Sequence, residues 1–154
     1  MIHTYDLSGL WQFQEDEAMA GEKQGYCNME FEDTISLPGT TALAKKGKLN
    51  EAREIQSFTE LYPYKGNAWY SRIVKVSPEQ VGKRFVLTLE RTRMTKVYVD
   101  GVLAGEEKSL TTEHCYDLTE HITKPEFRLT IVVCNTGYPT GGGHLTSPDT
   151  QTNW

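Results

Sequence analysis

Thr95-Lys96-Val97-Tyr98-Val99-Asp100-Gly101-Val102-Leu103-Ala104 decides the fold class, because two β-rich runs meet at an Asp-Gly pair. Asp-Gly between such flanks is the strongest short-range signal for a two-residue hairpin turn, and it predicts a hairpin over 95–106. Outward from it, Arg84 to Glu90 places Phe85, Leu87 and Leu89 on one face, and Phe127 to Cys134 does the same with Phe127, Leu129, Ile131 and Val133. Alternation with period two marks strands with one buried face. Trp69 to Val76, stopped by Ser77-Pro78, and Thr34 to Leu37, stopped by Pro38-Gly39, predict two more strands from their aromatic and β-branched residues. Helix signals are thin. Thr41 to Arg53 is interrupted by Gly47, and Glu113 to Thr123 is short and rich in β-branched residues, so both are expected to be loops with at most one helical turn. Short strands at intervals of about 8–12 residues argue for an antiparallel two-sheet sandwich.

The 154 residues suit one domain with a real core. They are too few for a (β/α)8 barrel, which takes about 250 residues, and too poor in helix for a doubly wound α/β enzyme. Sixteen Lys and Arg against twenty-one Asp and Glu give a net charge of -5, with no basic run beyond Lys45-Lys46. Nucleic acid is therefore not an expected partner. No apolar run approaches 18 residues, so no membrane partner is expected either. Met1 to Asp6 lacks the charged and apolar regions of a leader; a periplasmic or extracellular location would require that a signal peptide had been removed, a cytoplasmic one would not.

Several groupings invite a chemical reading. Cys27, Cys115 and Cys134 are odd in number and lack CxxC spacing, which makes three buried free thiols the expectation. Glu15-Asp16-Glu17 lacks the offsets of a calcium loop and reads as a solvated turn. Pro139 to His144 lacks the Gly-Lys-Ser/Thr ending of a phosphate cradle and reads as a mobile loop. His3, His114, His121 and His144 show no i, i+4 pair, and no Gly-x-Ser-x-Gly elbow occurs, so neither a metal centre nor catalysis by this chain follows from spacing. Phe58 to Tyr70 packs five aromatics among polar residues. That composition suits a platform for sugar faces and also the closing of a sandwich end, and on composition alone closure is the favoured reading. The polar, Gly- and Pro-rich stretch from Asn135 ends on Trp154, as if cut before a last element.

Six short motifs now fall in order: Leu7-Ser8-Gly9-Leu10-Trp11-Gln12-Phe13, Ile35-Ser36-Leu37-Pro38-Gly39, Trp69-Tyr70-Ser71-Arg72, Val97-Tyr98-Val99-Asp100-Gly101, Tyr116-Asp117-Leu118-Thr119 and Leu129 to Asn135. Together they resemble the N-terminal sugar-binding domain of glycoside hydrolase family 2, the family of β-galactosidases, β-glucuronidases and β-mannosidases. The resemblance implies an all-β, galactose-binding-domain-like jelly-roll sandwich over residues 1–154, part of a longer multidomain glycosidase whose immunoglobulin-like domain and catalytic barrel are its partners along with carbohydrate. The paired glutamates of the retaining mechanism would lie in that barrel, leaving no catalytic residue in this chain. The resemblance also implies that loops at one end of the sandwich reach the barrel mouth. There Asp149 and Asn67 match the family's sugar-site Asp and Asn, and His144, Asn153 and Trp154 share the stretch with Asp149 as further substrate-binding candidates. No cofactor or metal is expected in this chain, although a monovalent or divalent cation in the full-length enzyme is compatible with the family pattern. A stand-alone carbohydrate-binding module and a structural spacer are the alternatives.

Overall fold

A computed structural model describes residues 2–51 and 60–136. Their strands are β1 (Gly9–Asp16), β2 (Asp33–Leu37), β3 (Asn67–Lys75), β4 (Val86–Leu89), β5 (Met94–Val99), β6 (Val102–Glu107), β7 (His114–Asp117) and β8 (Glu126–Cys134), with one short helix, α1 (Gly21–Gln24). They form a six-stranded sheet in the order β2-β1-β3-β8-β5-β6 and a two-stranded sheet β4-β7, and every pairing is antiparallel. This is the all-β jelly-roll sandwich expected from the sequence. No described helix is long and apolar enough to cross a membrane.

The register explains the core. Phe13, Tyr70, Ile131 and Val97 are successive neighbours across β1, β3, β8 and β5, so their side chains form one row on the inner face. That row is buried with Trp11, Leu129 and Val133 against Leu87 of β4 and Tyr116 of β7, and the edge of the Phe13 ring meets Tyr70 with centroids 5.3 Å apart. The opposite face is buried too. The excursion after β1 carries Tyr26, Cys27 and Phe31 across Trp69, Val132 and Tyr98, with Tyr26 edge-on to Trp69 at 5.7 Å and Trp69 stacked on Tyr98 at 5.9 Å. Covered on both faces, β8 is buried without a break from Leu129 to Val133, where alternation alone would have exposed every second residue.

Asp100 and Gly101 both have positive φ, 47° and 80°, as the two-residue turn between β5 and β6 requires. Three expectations are corrected. His114–Asp117 is a strand, because His114 and Tyr116 alternate inward while Cys115 and Asp117 point out, and the polar His disguised that period. None of the cysteines is buried: Cys27 borders the outer cluster, Cys134 ends β8 and Cys115 lies on the outward side of β7. Asp16 is not a solvated turn charge but is 6% exposed. The Gly-rich stretch 139–144 lies outside the described residues.

Candidate functional site

Asp16, Asn67, Cys134 and Met94 lie side by side across β1, β3, β8 and β5, and this row marks the end of the sandwich where the chain continues past Asn135. A buried frame of hydrogen bonds holds that end. The Asp16 carboxylate accepts the backbone N–H of Ala20 through Oδ1 (2.8 Å), and those of Gly21 (2.9 Å) and the Trp69 indole (3.0 Å) through Oδ2. Three donors explain how a carboxylate is tolerated against the outer aromatic cluster, since burying a charge without such partners is costly. The same three bonds fix the turn into α1 and the ring of Trp69.

Tyr64 braces the loop before β3. Its hydroxyl accepts the Asp16 N–H (2.7 Å) and donates to the Asn67 carbonyl. Burial, with the nearby acidic Glu15, Asp16 and Glu17 adding to it, pushes this phenol well above its ordinary value, while the bond from the Asp16 amide pulls the other way. Asn135 closes the frame: its Oδ1 accepts the Gly66 N–H (2.9 Å) and its Nδ2 donates to the Tyr64 carbonyl (2.7 Å). Gly66 is required here, for its φ is 136° and a Cβ would come within 2.8 Å of the Asp16 carbonyl oxygen and Glu17 Cα.

Above the frame opens a cleft of about 560 Å³, lined among others by Glu17, Met19, Lys48, Lys65, Pro63 and Thr136. Its size suits a small ligand, and its lysines and threonine present donors that a sugar hydroxyl or carboxylate accepts. Of the five residues proposed for substrate binding, Asn67 is half-buried at the start of β3, its side chain on the same sheet face as Trp69 and its carbonyl held by Tyr64. His144, Asp149, Asn153 and Trp154 lie outside the described residues, so of the five the structure describes Asn67 alone. Among the described residues no three His, Cys, Asp or Glu side chains gather to hold a metal. Asp16 does not fit a cation, because both of its oxygens already face N–H donors. Reading the sequence missed Asp16, Tyr64 and Asn135 as the frame of this end. The only local sign was a Tyr and an Asn sitting just outside apolar strand runs.

The chain belongs to the sugar-binding domains of the glycosyl hydrolases of family 2, whose model matches residues 4–149. It is 29% identical over 107 residues to a β-glucuronidase of Streptococcus agalactiae, covering 69% of this chain and 15% of that protein. A β-glucuronidase of Formosa agariphila is 23% identical over 142 residues, covering 86% of this chain and 13% of its own length. The chain thus spans about one seventh of the length of these curated relatives. Among solved structures, the β-glucuronidase of Lactobacillus rhamnosus superposes with a TM-score of 0.67 at 22% identity over 86% of this chain and 22% of that one. The Ruminococcus gnavus β-glucuronidase gives 0.66 at 20% identity, over 84% and 20%. At such identities the structural likeness speaks for the fold.

Proposed function

We propose that this chain is the non-catalytic sugar-binding domain of a retaining, β-glucuronidase-like glycoside hydrolase, and that it helps shape the glycan site while packing against the catalytic barrel. The observation that carries the reading is the match to the family's sugar-binding domain over residues 4–149, in relatives of which it is about one seventh. The geometry supports it: the buried frame of Asp16, Tyr64 and Asn135 stiffens the end at which Asn67 sits and from which the chain runs on toward Asp149. A rigid base for substrate-contacting loops is what positioning requires, since small misplacements of a binding group lose much of its effect.

The test is Asp149→Ala in the full-length enzyme. Loss of one charge-assisted hydrogen bond to a sugar hydroxyl lowers kcat/KM by about tenfold or more. Unchanged kinetics would remove the functional case for that segment and leave a spacer. Titration of residues 1–154 with methyl β-glucuronide, read from the amides of residues 65–68, separates the subsite-completing role, which leaves those amides unshifted in the isolated chain, from an autonomous binding module, which shifts them.

A further inference from the structure

A second concavity opens at the same end of the sandwich, between the β4–β5 loop and the β6–β7 loop, with a volume of about 520 Å³. Glu90, Arg91 and Arg93 line it from one loop, and Leu110, Thr111 and Glu113 from the other. Leu89 of β4 pairs with His114 of β7, and Met94 of β5 pairs with Cys134, so these loops stand beside the exit of β8 rather than at the far end.

The walls are organised in advance. Glu107 Oε1 accepts the N–H groups of Lys108 (2.8 Å) and Ser109 (3.2 Å), and these bonds hold the Glu107 carboxyl below its usual range. Ser109 Oγ accepts the Thr112 N–H (3.2 Å) and the Thr112 hydroxyl (2.7 Å), folding the loop on itself. Beneath it His114, fully buried, contacts the Ser109 carbonyl through Nε2 (2.8 Å) and the Thr95 hydroxyl through Nδ1 (2.6 Å). On the opposite wall Arg91 has a left-handed backbone, φ 50°, which is strained for a residue with a side chain. Arg91 makes no ion pair among the described residues. Thr92, 8% exposed, keeps a buried hydroxyl without a hydrogen-bond partner among the described residues. The hydrogen-bonded loop on one side and the arginine-bearing loop on the other give the concavity a fixed shape.

The chemistry points to hydroxyl-rich ligands. Two guanidinium and two carboxylate groups balance in charge, so the pocket is not built to hold a bare anion. Guanidinium N–H groups donate to, and carboxylates accept from, the alternating lone pairs and O–H groups of a vicinal diol. Leu110, 41% exposed, offers an apolar surface for the C–H face of a pyranose. We infer that the Arg91–Glu113 pocket is a second glycan subsite, taking a sugar unit other than the one bound beside Asn67 and Asp149. For its place in a larger substrate this rests on the proposed glycosidase reading; for its binding chemistry it does not.

The experiment is an NMR titration of the 154-residue chain with methyl β-D-glucopyranoside and, separately, methyl β-D-glucopyranosiduronate. Saturable shifts confined to the amides of 90–93 and 110–113 and the Arg91 side-chain N–H are expected with both sugars. The affinity should fall about tenfold in Arg91→Ala and in Glu113→Gln, the effect of losing one charged hydrogen bond. Both positions are exposed, and the unchanged spectrum of the remaining amides reports that each variant is folded. Absence of shifts in these loops, or an affinity in both variants equal to that of the unaltered chain, overturns the subsite. Shifts with the uronide alone also overturn it in favour of an anion site. Asn67→Ala separates the two proposals: if it leaves this binding intact while Asp149→Ala leaves the enzyme's kinetics unchanged, the reading of the Asn67 end fails and the subsite stands.

Discussion

At one end of the sandwich the chain turns through residues that set their own geometry: Asp100-Gly101 with both φ values positive, and Ser77-Pro78 opening a short 3-10 turn. At the other end, Asp16, Tyr64, Gly66, Trp69 and Asn135 are joined by hydrogen bonds between residues 48 to 71 positions apart. The first end is closed by local conformational preference. The second exists only once β1, β3 and β8 are in register, because no local segment contains both partners of any of these bonds. The difference teaches where function can be placed: turns that form by themselves need no support, whereas a face that positions a ligand is stiffened by the whole fold.

The comparison breaks most severely at Gly66. Gly66→Ala forces a side chain into φ 136° against backbone, and should lower stability by about 3 kcal/mol, read from the denaturant midpoint. Asn135→Ala comes next, leaving the buried Gly66 N–H and Tyr64 carbonyl without their partner and costing about 2–3 kcal/mol. Local control at the opposite end implies a milder loss. Gly101→Ala should cost about 1 kcal/mol, the penalty of a left-handed residue, because the group it would meet is the movable end of Asn28. An equal loss at Gly101 and Asn135 would erase the distinction between the two ends.

Tyr70→Phe gives the smallest change and has the opposite sign. The Tyr70 hydroxyl is buried with no hydrogen-bond partner among the described residues, so its removal should leave stability unchanged or raise it by up to about 1 kcal/mol near neutral pH. Burial also raises the ionisation of Tyr64 and Tyr70 above the ordinary phenol value. A folded-state value raised above the unfolded one favours the protonated fold, so that stability is complete below about pH 10 and is lost as pH rises through the folded value. Unfolding measured at increasing alkalinity should therefore show a shallower decline in Tyr70→Phe than in the unaltered chain.

Much of the architecture was legible in residue order. Phe85, Leu87 and Leu89 marked β4, Phe127 to Cys134 marked β8, and Asp100-Gly101 marked the hairpin, because each is a local periodicity or a local turn preference. β7 escaped notice because its inward residues are His114 and Tyr116, polar groups made compatible with the core by Thr95 and the Ser109 carbonyl. The site was read less well. Asp16 looked like solvent-exposed charge beside Glu15 and Glu17 until the Trp69 indole and two amides were brought to it.

By itself the sequence determined the fold class, the turn positions and the resemblance to the family's sugar-binding domain, since all three depend on neighbours in the chain. Only the tertiary structure decided which carboxylate is buried, which asparagine clasps the loop before β3, and that two clefts share one end of the sandwich. Each of those features rests on at least one partner tens of residues away. A polar side chain is a liability or a brace according to what long-range register places within hydrogen-bond distance of it.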